Sequence, residues 1–336
     1  MKLSFLPTPI GRAVPLGESG VTVSRVGFGV HPLGPTRRNL SVEEGAALMR
    51  YAYERGIRFF DTAQFYGTYD YLRAGLEEIR RSPLYAGEPV LCGKSLATDF
   101  DGMTAAIDEA LERTGAERFD LFLLHQCTPG WREERAGALR ALLQAKERGK
   151  VRAVGLSTHH EDVVREAAEA PEPDVVFALY NQAGLGIRNG DVPGSAEGML
   201  EALRRCGNAG KGVFTMKVFG GGNLTDRYQS AARHVFEECA GTIPAAVIGF
   251  TERREVDELE RLLSGLLPPD YNPPMDGKRL RVDREDCLGC GTCVRICASG
   301  AMHYSREDGL AEIDYAKCVS CSYCAIACPE RAIVLW

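Results

Sequence analysis

Short apolar runs alternate with amphipathic segments along most of the chain, from residue 24 to residue 265. The runs have the length of buried strands, and the segments between them repeat apolar residues every three or four positions, as helices do. Eight such units in series predict a parallel α/β sheet, and the count of eight favours a (β/α)8 TIM barrel over an open doubly wound sheet. The predicted strands are residues 25–28, 57–60, 90–92, 121–124, 151–156, 175–179, 213–216 and 246–248.

Signals at the segment ends support the helices. Residues 41–55 begin with Ser41 and carry Glu44 three positions later, which is the spacing of a capping box, and a glycine follows the segment. Residues 134–148 and 252–263 carry the same apolar stripe. We therefore expect helices over these three segments, with the stripe of each facing the barrel.

The chain changes character after residue 265. Residues 266–279 contain four prolines and predict a stiff connector. Residues 280–336 repeat one four-cysteine pattern twice, and the stretches 302–304 and 311–313 between the copies predict a β-hairpin. We expect a barrel with a short N-terminal hairpin over residues 1–265, the connector, and a small C-terminal domain.

Both cysteine runs have the spacing C-x2-C-x2-C-x3-C, and Pro329 follows the second, whereas Ala298 follows the first. Thiolates at this spacing hold 4Fe–4S clusters in two-cluster ferredoxins, where the fourth cysteine of each run binds the other cluster. The pattern predicts two 4Fe–4S clusters on an α+β ferredoxin-like domain; the alternative is a pair of zinc sites. The predicted ligands are Cys287, Cys290, Cys293 and Cys328 for the first cluster, and Cys318, Cys321, Cys324 and Cys297 for the second.

Composition narrows the range of partners and compartments. The 336 residues carry a formal net charge of −6, which gives no support for binding to nucleic acid or to an acidic membrane surface. No apolar run approaches the roughly 20 residues that span a bilayer, and the first residues lack the pattern of a signal peptide. We expect a cytoplasmic protein, in which closely spaced cysteines bind metal before they form disulfides.

Four polar residues follow three neighbouring predicted strands. Asp61 and Tyr66 follow the second, Lys94 the third and His125 the fourth. The carboxyl ends of the strands form the active face of such a barrel, so these side chains are expected to converge there. A phenol beside an ammonium is a suitable proton donor for a carbonyl oxygen, because the ammonium lowers the pKa of the phenol. Asp61 is expected to hold Lys94, and His125 to orient the carbonyl group or relay a proton.

These residues stand in motifs that resemble the aldo–keto reductases. The stretches Phe60-Asp61-Thr62-Ala63 with Tyr66-Gly67, Gly93-Lys94-Ser95 and Leu124-His125 match the family's catalytic tetrad in order and spacing. The resemblance covers roughly residues 12–265 and implies reduction of an aldehyde or ketone to an alcohol, or the reverse, with Tyr66 as general acid and base.

The resemblance also implies a nicotinamide cofactor, NADP(H) or NAD(H). The chain departs from the family at two carboxamide-binding positions, which are Thr158 and Phe177 here, and Met216 stands where an aromatic residue is usual. Arg253 or Arg254 is expected to bind a 2′-phosphate, which favours NADP. The predicted cofactor-binding residues are Ser157, Met216, Lys217, Gly220, Gly221, Gly222, Gly249, Thr251, Arg253 and Arg254.

Three functions remain open from the sequence. The first is a nicotinamide-dependent reductase of a small carbonyl compound, whose iron–sulfur tail transfers electrons or contacts an electron-transfer protein. The second is a reductase fed by the clusters without stable nicotinamide binding, which the weakened carboxamide site favours. The third is a redox sensor or a subunit of a complex that has kept the barrel without its catalysis.

Overall fold

Eight parallel strands close into a barrel in the computed structural model, which describes residues 3–35, 37–274, 279–297, 300–318, 323–330 and 332–335. The strands follow one another round the barrel in chain order, and the last pairs with the first. The predicted TIM barrel is confirmed, and each predicted strand overlaps one of its members. The barrel strands are β3 (Val26–Gly29), β4 (Phe59–Asp61), β5 (Val90–Ser95), β6 (Phe119–Leu124), β7 (Val151–Thr158), β8 (Val175–Leu179), β11 (Gly212–Met216) and β12 (Ala245–Gly249).

Two short antiparallel ladders lie outside the barrel wall. The first, β1 (Ala13–Pro15) with β2 (Thr22–Ser24), is the N-terminal hairpin, and the second joins β9 (Arg188–Asn189) to β10 (Val192–Pro193). The hairpin residues Val14, Leu16, Val21 and Val23 belong to the same buried cluster as the barrel interior. The hairpin therefore closes the amino-terminal end of the barrel, and the carboxyl ends of the strands form the open end.

Helices connect the barrel strands. Ser41 caps α1 as predicted, because its side chain accepts a hydrogen bond from the Glu44 amide while the Glu44 carboxylate accepts one from the Ser41 amide. The second predicted helix is preceded by a separate short turn of helix. The helices are α1 (Val42–Glu54), α2 (Tyr69–Arg81), α3 (Phe100–Thr114), α4 (Trp131–Glu134), α5 (Ala136–Glu147), α6 (Glu161–Glu169), α7 (Ala196–Asn208), α8 (Tyr228–Arg233) and α9 (Arg253–Leu263).

The C-terminal tail is built from two more ladders and two short helices. Strand β13 (Leu280–Val282) pairs with β16 (Ile333–Leu335), so the first and last strands of the tail lie side by side. Strands β14 (Met302–Tyr304) and β15 (Ala311–Ile313) form the predicted hairpin. The helices are α10 (Thr292–Ile296) and α11 (Tyr323–Ala327).

The proline-rich connector is fixed to the barrel. Leu267 is part of the main barrel core, and the Gln229 amide donates hydrogen bonds of 2.6 and 3.1 Å to the carbonyl oxygens of Pro268 and Tyr271. The tail is thus carried at a defined place on the barrel surface. Among the described residues, no helix combines the length and apolar character that a membrane crossing needs.

Candidate active site

The four residues predicted to converge lie together at the carboxyl ends of the strands. Asp61 is the last residue of β4, Lys94 lies on β5, and His125 directly follows β6. Tyr66 ends a 3-10 turn after β4, and its hydroxyl lies 3.3 Å from Nε2 of His125. Parallel strands carry these residues to one rim because the chain crosses back outside the barrel after each strand.

Lys94 is completely buried and held by two acceptors. Its ammonium donates to the Asp61 carboxylate and, over 2.7 Å, to the carbonyl oxygen of Thr62. The nitrogen also lies 5.2 Å from the ring centre of Tyr66. Burial disfavours the ammonium, but Asp61 and Tyr66 outweigh it and raise the pKa of Lys94 above its ordinary value. Lys94 therefore stays charged inside the barrel.

The pKa of Tyr66 differs from the sequence-based expectation. Burial raises it above the ordinary value of a phenol, and Lys94 only partly opposes this effect. The expectation that the Lys94 ammonium lowers the pKa of Tyr66 below its ordinary value is therefore wrong for this geometry. Burial, followed by Lys94, also lowers the pKa of His125 well below its ordinary value. The site holds a protonated phenol beside a neutral imidazole.

A cavity of about 290 Å³ extends from Asp61 and Tyr66 to helix α9. It passes the carboxyl ends of β11 and β12, and Phe177 also lines it. An elongated cavity that begins at a proton donor and ends at a helix fits a nicotinamide dinucleotide. The predicted cofactor-binding residues that line it are Met216, Lys217, Gly221, Gly222, Gly249 and Thr251.

The remaining predicted cofactor residues, Ser157, Gly220, Arg253 and Arg254, are not among those that line this cavity. The Ser157 hydroxyl is buried, accepting a hydrogen bond from the Gln126 amide and donating one to the Leu124 carbonyl. It fixes the loop after β6 through these two hydrogen bonds.

The two arginines are also engaged elsewhere. Arg254 pairs with Glu252 and Glu258 over 2.9 Å each, and Arg253 lies over the ring of Tyr51 at 5.1 Å. The prediction that they bind a 2′-phosphate is therefore not supported by their positions. Their assignment to a 2′-phosphate stays a prediction, because the sequence does not indicate which face of α9 meets the cavity.

Acidic residues line this end of the cavity. Glu255 and Glu258 face it, and the Glu255 carboxylate accepts hydrogen bonds of 2.7 and 3.3 Å from the amides of Thr251 and Glu252. The start of α9 is therefore capped by a carboxylate of the helix itself, the kind of anion that stabilises a helix N-terminus. Glu255 and Glu258 are three residues apart, so both carboxylates lie on the same face of α9. This spacing is the sequence signal that would have indicated an acidic end of the cavity.

The glycine run after β11 lies against the tail. Gly221 has a φ of 66°, and a Cβ there would lie 2.9 Å from Cγ1 of Val334 on β16. Asn223 nearby donates a 3.3 Å hydrogen bond to the carbonyl oxygen of Ile333. A side chain at position 221 would collide with the tail, so part of this run serves close packing against β16.

Charged contacts also join the tail to the barrel rim. Arg37 is buried and pairs with the buried Asp283, and Arg188 lies 3.9 Å from Glu330. His31 Nε2 lies 3.4 Å from the Glu285 carboxylate. Arg37 and His31 both line the cavity. Sequence reasoning missed Arg37 and the tail carboxylates, because nothing in their local pattern marks a contact across 250 residues.

The thiols predicted to hold the first cluster surround one small cavity in the tail. Its lining includes Cys287, Cys290 and Cys293 from the first run and Cys328 from the second. No three histidine, cysteine or acidic side chains of the described residues form a group that could hold a single metal ion. These four residues fit a 4Fe–4S cluster.

The second predicted set is described only in part. Cys297, Cys318 and Cys324 lie within the described residues, whereas Cys321 lies outside them. Cys324 and Cys297 belong to or pack against the same apolar cluster as the first set.

Comparison with known proteins finds a matching family for the barrel and another for the tail. Residues 25–258 match the Aldo/keto reductase family, and residues 286–333 match the 4Fe-4S dicluster domain. An L-galactose dehydrogenase of Arabidopsis thaliana is 27% identical over 221 residues, 63% of this chain and 66% of that protein. The match thus spans just under two thirds of the plant protein.

An uncharacterized ferredoxin of Methanocaldococcus jannaschii is 36% identical over 56 residues, 16% of this chain and 73% of that protein. The solved structure of a Bombyx mori aldo-keto reductase in complex with NADP superposes with a TM-score of 0.57 at 19% identity, over 79% of this chain and 89% of that one, which shows a shared fold. The chain belongs to the aldo/keto reductase family of oxidoreductases and carries a C-terminal 4Fe–4S dicluster domain.

Proposed function

We propose that the barrel interconverts a small carbonyl compound and its alcohol, with Tyr66 as the general acid and base. The observation that carries this is the hydroxyl of Tyr66 at the inner end of the cavity, 3.3 Å from His125 and next to the buried Lys94–Asp61 pair. A nicotinamide dinucleotide, NADP(H) or NAD(H), supplies or accepts the hydride when bound.

Each side chain has a separate task in this proposal. Tyr66 gives its proton to the oxygen of the carbonyl group as that oxygen becomes an alkoxide, and takes a proton back in the reverse direction. Lys94 stabilises the phenolate that remains, because its charge lies within about 5 Å of the ring. Asp61 keeps Lys94 charged in a buried position. The neutral His125 orients the carbonyl oxygen toward the phenol.

We further propose that the tail, residues 280–336, binds two 4Fe–4S clusters and exchanges electrons with a separate electron-transfer protein. The four thiols around one cavity support the first cluster, and the repeated spacing supports the second. The proposed division is a catalytic barrel over residues 1–265, the connector 266–279 and this tail. None of the described cysteines forms a disulfide, which supports a cytoplasmic site of action.

One observation favours a second function, in which electrons reach the substrate from the tail without stable nicotinamide binding. The Ser157 hydroxyl already accepts a hydrogen bond from the Gln126 backbone amide and donates one to the Leu124 carbonyl oxygen, which leaves it less capacity to bind a carboxamide. Cys287 also follows directly on a segment that contacts the barrel rim.

The test is to change Tyr66 to Phe in the holoenzyme, with DL-glyceraldehyde as the carbonyl probe and NADH and NADPH as donors. We expect turnover to fall by about 100-fold or more, as the loss of a general acid implies, with the nucleotide affinity unchanged. Tyr69→Phe is the matched control, because the Tyr69 hydroxyl is buried without a hydrogen-bond partner among the described residues. Turnover that survives Tyr66→Phe would overturn the assignment. Failure of both nucleotides to bind, with turnover on dithionite, would select the second function.

A further inference from the structure

A four-residue segment of the tail contacts the rim of the barrel beside the proposed proton donor. Residues 283–286 connect β13 to Cys287, and Asp283 fixes their start through the buried pair with Arg37. The next carboxylate, Glu285, lies 3.4 Å from Nε2 of His31. The tail thus places acidic side chains against Arg37 and His31, which line the cavity near the proposed proton donor.

Asp286 meets two residues from different barrel loops. One carboxylate oxygen accepts a 3.5 Å hydrogen bond from the side-chain amide of Gln126, and the other lies 3.8 Å from Nζ of Lys217. Gln126 directly follows His125, and Lys217 directly follows β11. Asp286 is also close enough to contribute to raising the pKa of Tyr66. The carboxylate is therefore a neighbour of the reacting end of the site.

The backbone on both sides of this contact is strained. Gln126 has a φ of 53° and Lys217 a φ of 62°, and among the described non-glycine residues only Asn39 shares this left-handed conformation. Residues other than glycine rarely adopt this conformation, and those that do collect where the surrounding structure holds a side chain in place for function. Two of the three strained residues point their side chains at one tail carboxylate.

We propose that Glu285 and Asp286 are part of the substrate site and that, together with Lys217 and Gln126, they bind the hydroxyl groups of a polyhydroxylated carbonyl compound. This inference rests on the proposed function of the barrel. Each carboxylate oxygen accepts more than one hydrogen bond, and the amide and ammonium donate, so the group suits neighbouring hydroxyls. An apolar carbonyl compound that displaces water here offers these polar groups no further hydrogen bonds, which weakens its binding.

The position of Asp286 ties substrate binding to the tail. Asp286 immediately precedes Cys287, the first thiol around the proposed cluster cavity. The barrel supplies the proton donor and most of the cavity lining, whereas the proposed substrate site is complete only when the tail is folded in place. The substrate preference of this protein is therefore set partly outside its barrel.

The experiment compares Asp286→Asn and Glu285→Gln with the unchanged holoenzyme, using DL-glyceraldehyde and hexanal as probes. We expect the KM for DL-glyceraldehyde to rise by about tenfold in Asp286→Asn, as loss of a charge-assisted hydrogen bond implies, while the KM for hexanal and the kcat for both stay within about threefold. Glu312→Gln is the matched control, because Glu312 lies on the same tail with an exposed side chain. Among the described residues, its ion-pair partner is His303.

Two further readouts separate the possible failures. Iron content and nucleotide affinity are measured on every variant, and both are expected to stay unchanged. The inference would be overturned by equal effects on the two aldehydes. It would also be overturned by an unchanged KM for DL-glyceraldehyde in both variants at full iron content. In either case the proposed function still stands if Tyr66→Phe is inactive. An active Tyr66→Phe would instead remove the proposed function on which the inference rests.

Discussion

The imidazole of His31 lies flat against the phenol ring of Tyr66, with ring centres 3.9 Å apart and an angle of 3° between the planes. The stack limits rotation of the phenol, since the imidazole covers one face of the Tyr66 ring. His31 thus contacts both the proposed proton donor and Glu285 of the tail.

Removing the stack is expected to slow the reaction. His31→Ala should reduce kcat by up to about tenfold, because a stacked aromatic pair is worth about 1 kcal/mol. His31→Phe keeps a flat ring but loses the contact with Glu285, and it should retain kcat within about threefold. Steady-state kinetics with DL-glyceraldehyde measures both. Equal losses in the two variants would assign the effect to the Glu285 contact.

The stability of the fold should fall at acidic pH because of a buried histidine. Burial lowers the pKa of His159 to about 4, so between about pH 6.5 and 4 the unfolded chain takes up a proton that the folded chain does not. Stability falls as the pH falls through this window, by at most about 1.4 kcal/mol per pH unit for this residue. The thermal midpoint of His159→Gln, measured from pH 7 to pH 5, should fall less steeply than that of the unchanged protein. Parallel curves would contradict the prediction.

The buried Lys94–Asp61 pair predicts a non-additive response. Lys94→Met leaves the Asp61 carboxylate buried without its cation, which should destabilise the fold by about 3–5 kcal/mol. The double variant Lys94→Met with Asp61→Leu removes both charges and should regain most of the lost thermal midpoint, while carbonyl reduction stays absent. Additive losses in the double variant would show that the two residues act independently.

The carboxylates beside α9 predict the preferred nucleotide. A 2′-phosphate would face Glu255 and Glu258, whereas a free ribose hydroxyl donates a hydrogen bond to either, so we expect tighter binding of NADH than of NADPH. Glu255→Gln keeps an acceptor for the Thr251 amide but removes the charge, and should narrow the difference by about tenfold.

Fluorescence titration with each nucleotide measures this preference. Glu260→Gln is the control, because Glu260 lies on the same helix and pairs with Arg55 away from the cavity. Tighter binding of NADPH to the unchanged protein, with no response to Glu255→Gln, would restore the sequence-based expectation of NADP.

The crossed arrangement of thiols predicts which cysteines share a cluster. Cys287→Ser, Cys328→Ser and their double variant should lose the same cluster, about four of the roughly eight iron atoms expected for two cubanes. Cys206→Ala is the control, since Cys206 is buried in the barrel. Iron analysis and low-temperature paramagnetic resonance of the reduced protein read out the result. A further loss in the double variant would mean that the two cysteines belong to different clusters.

The barrel was predictable because each of its signals is local. Alternating apolar runs mark the strands, Ser41 and Glu44 mark the start of α1, and the position of Lys94 or His125 at a strand end implies a common rim. Parallel topology then brings residues together that are far apart in sequence. The site residues that depend only on strand order were therefore found.

The remaining features depend on contacts between distant surfaces. Nothing near Asp283 or Asp286 in the sequence indicates Arg37 or Lys217 as a partner, because the docking of the tail has no periodic signature. The orientation of Arg254 is decided by two neighbouring carboxylates that compete with any bound phosphate. The pKa of Tyr66 depends on how deeply the phenol is buried, which a charge pattern does not reveal.

The pairing of β13 with β16 has a consequence for the order of events during synthesis. All eight barrel strands precede both members of this ladder in the chain, so the ribosome releases a complete barrel before it makes residues 333–335. Until then the segment that carries Asp286 lacks the strand that anchors it. A nascent chain therefore passes through a stage in which the barrel strands are complete, while the acidic segment 283–286 and the Val334 side of the cavity are not yet in place.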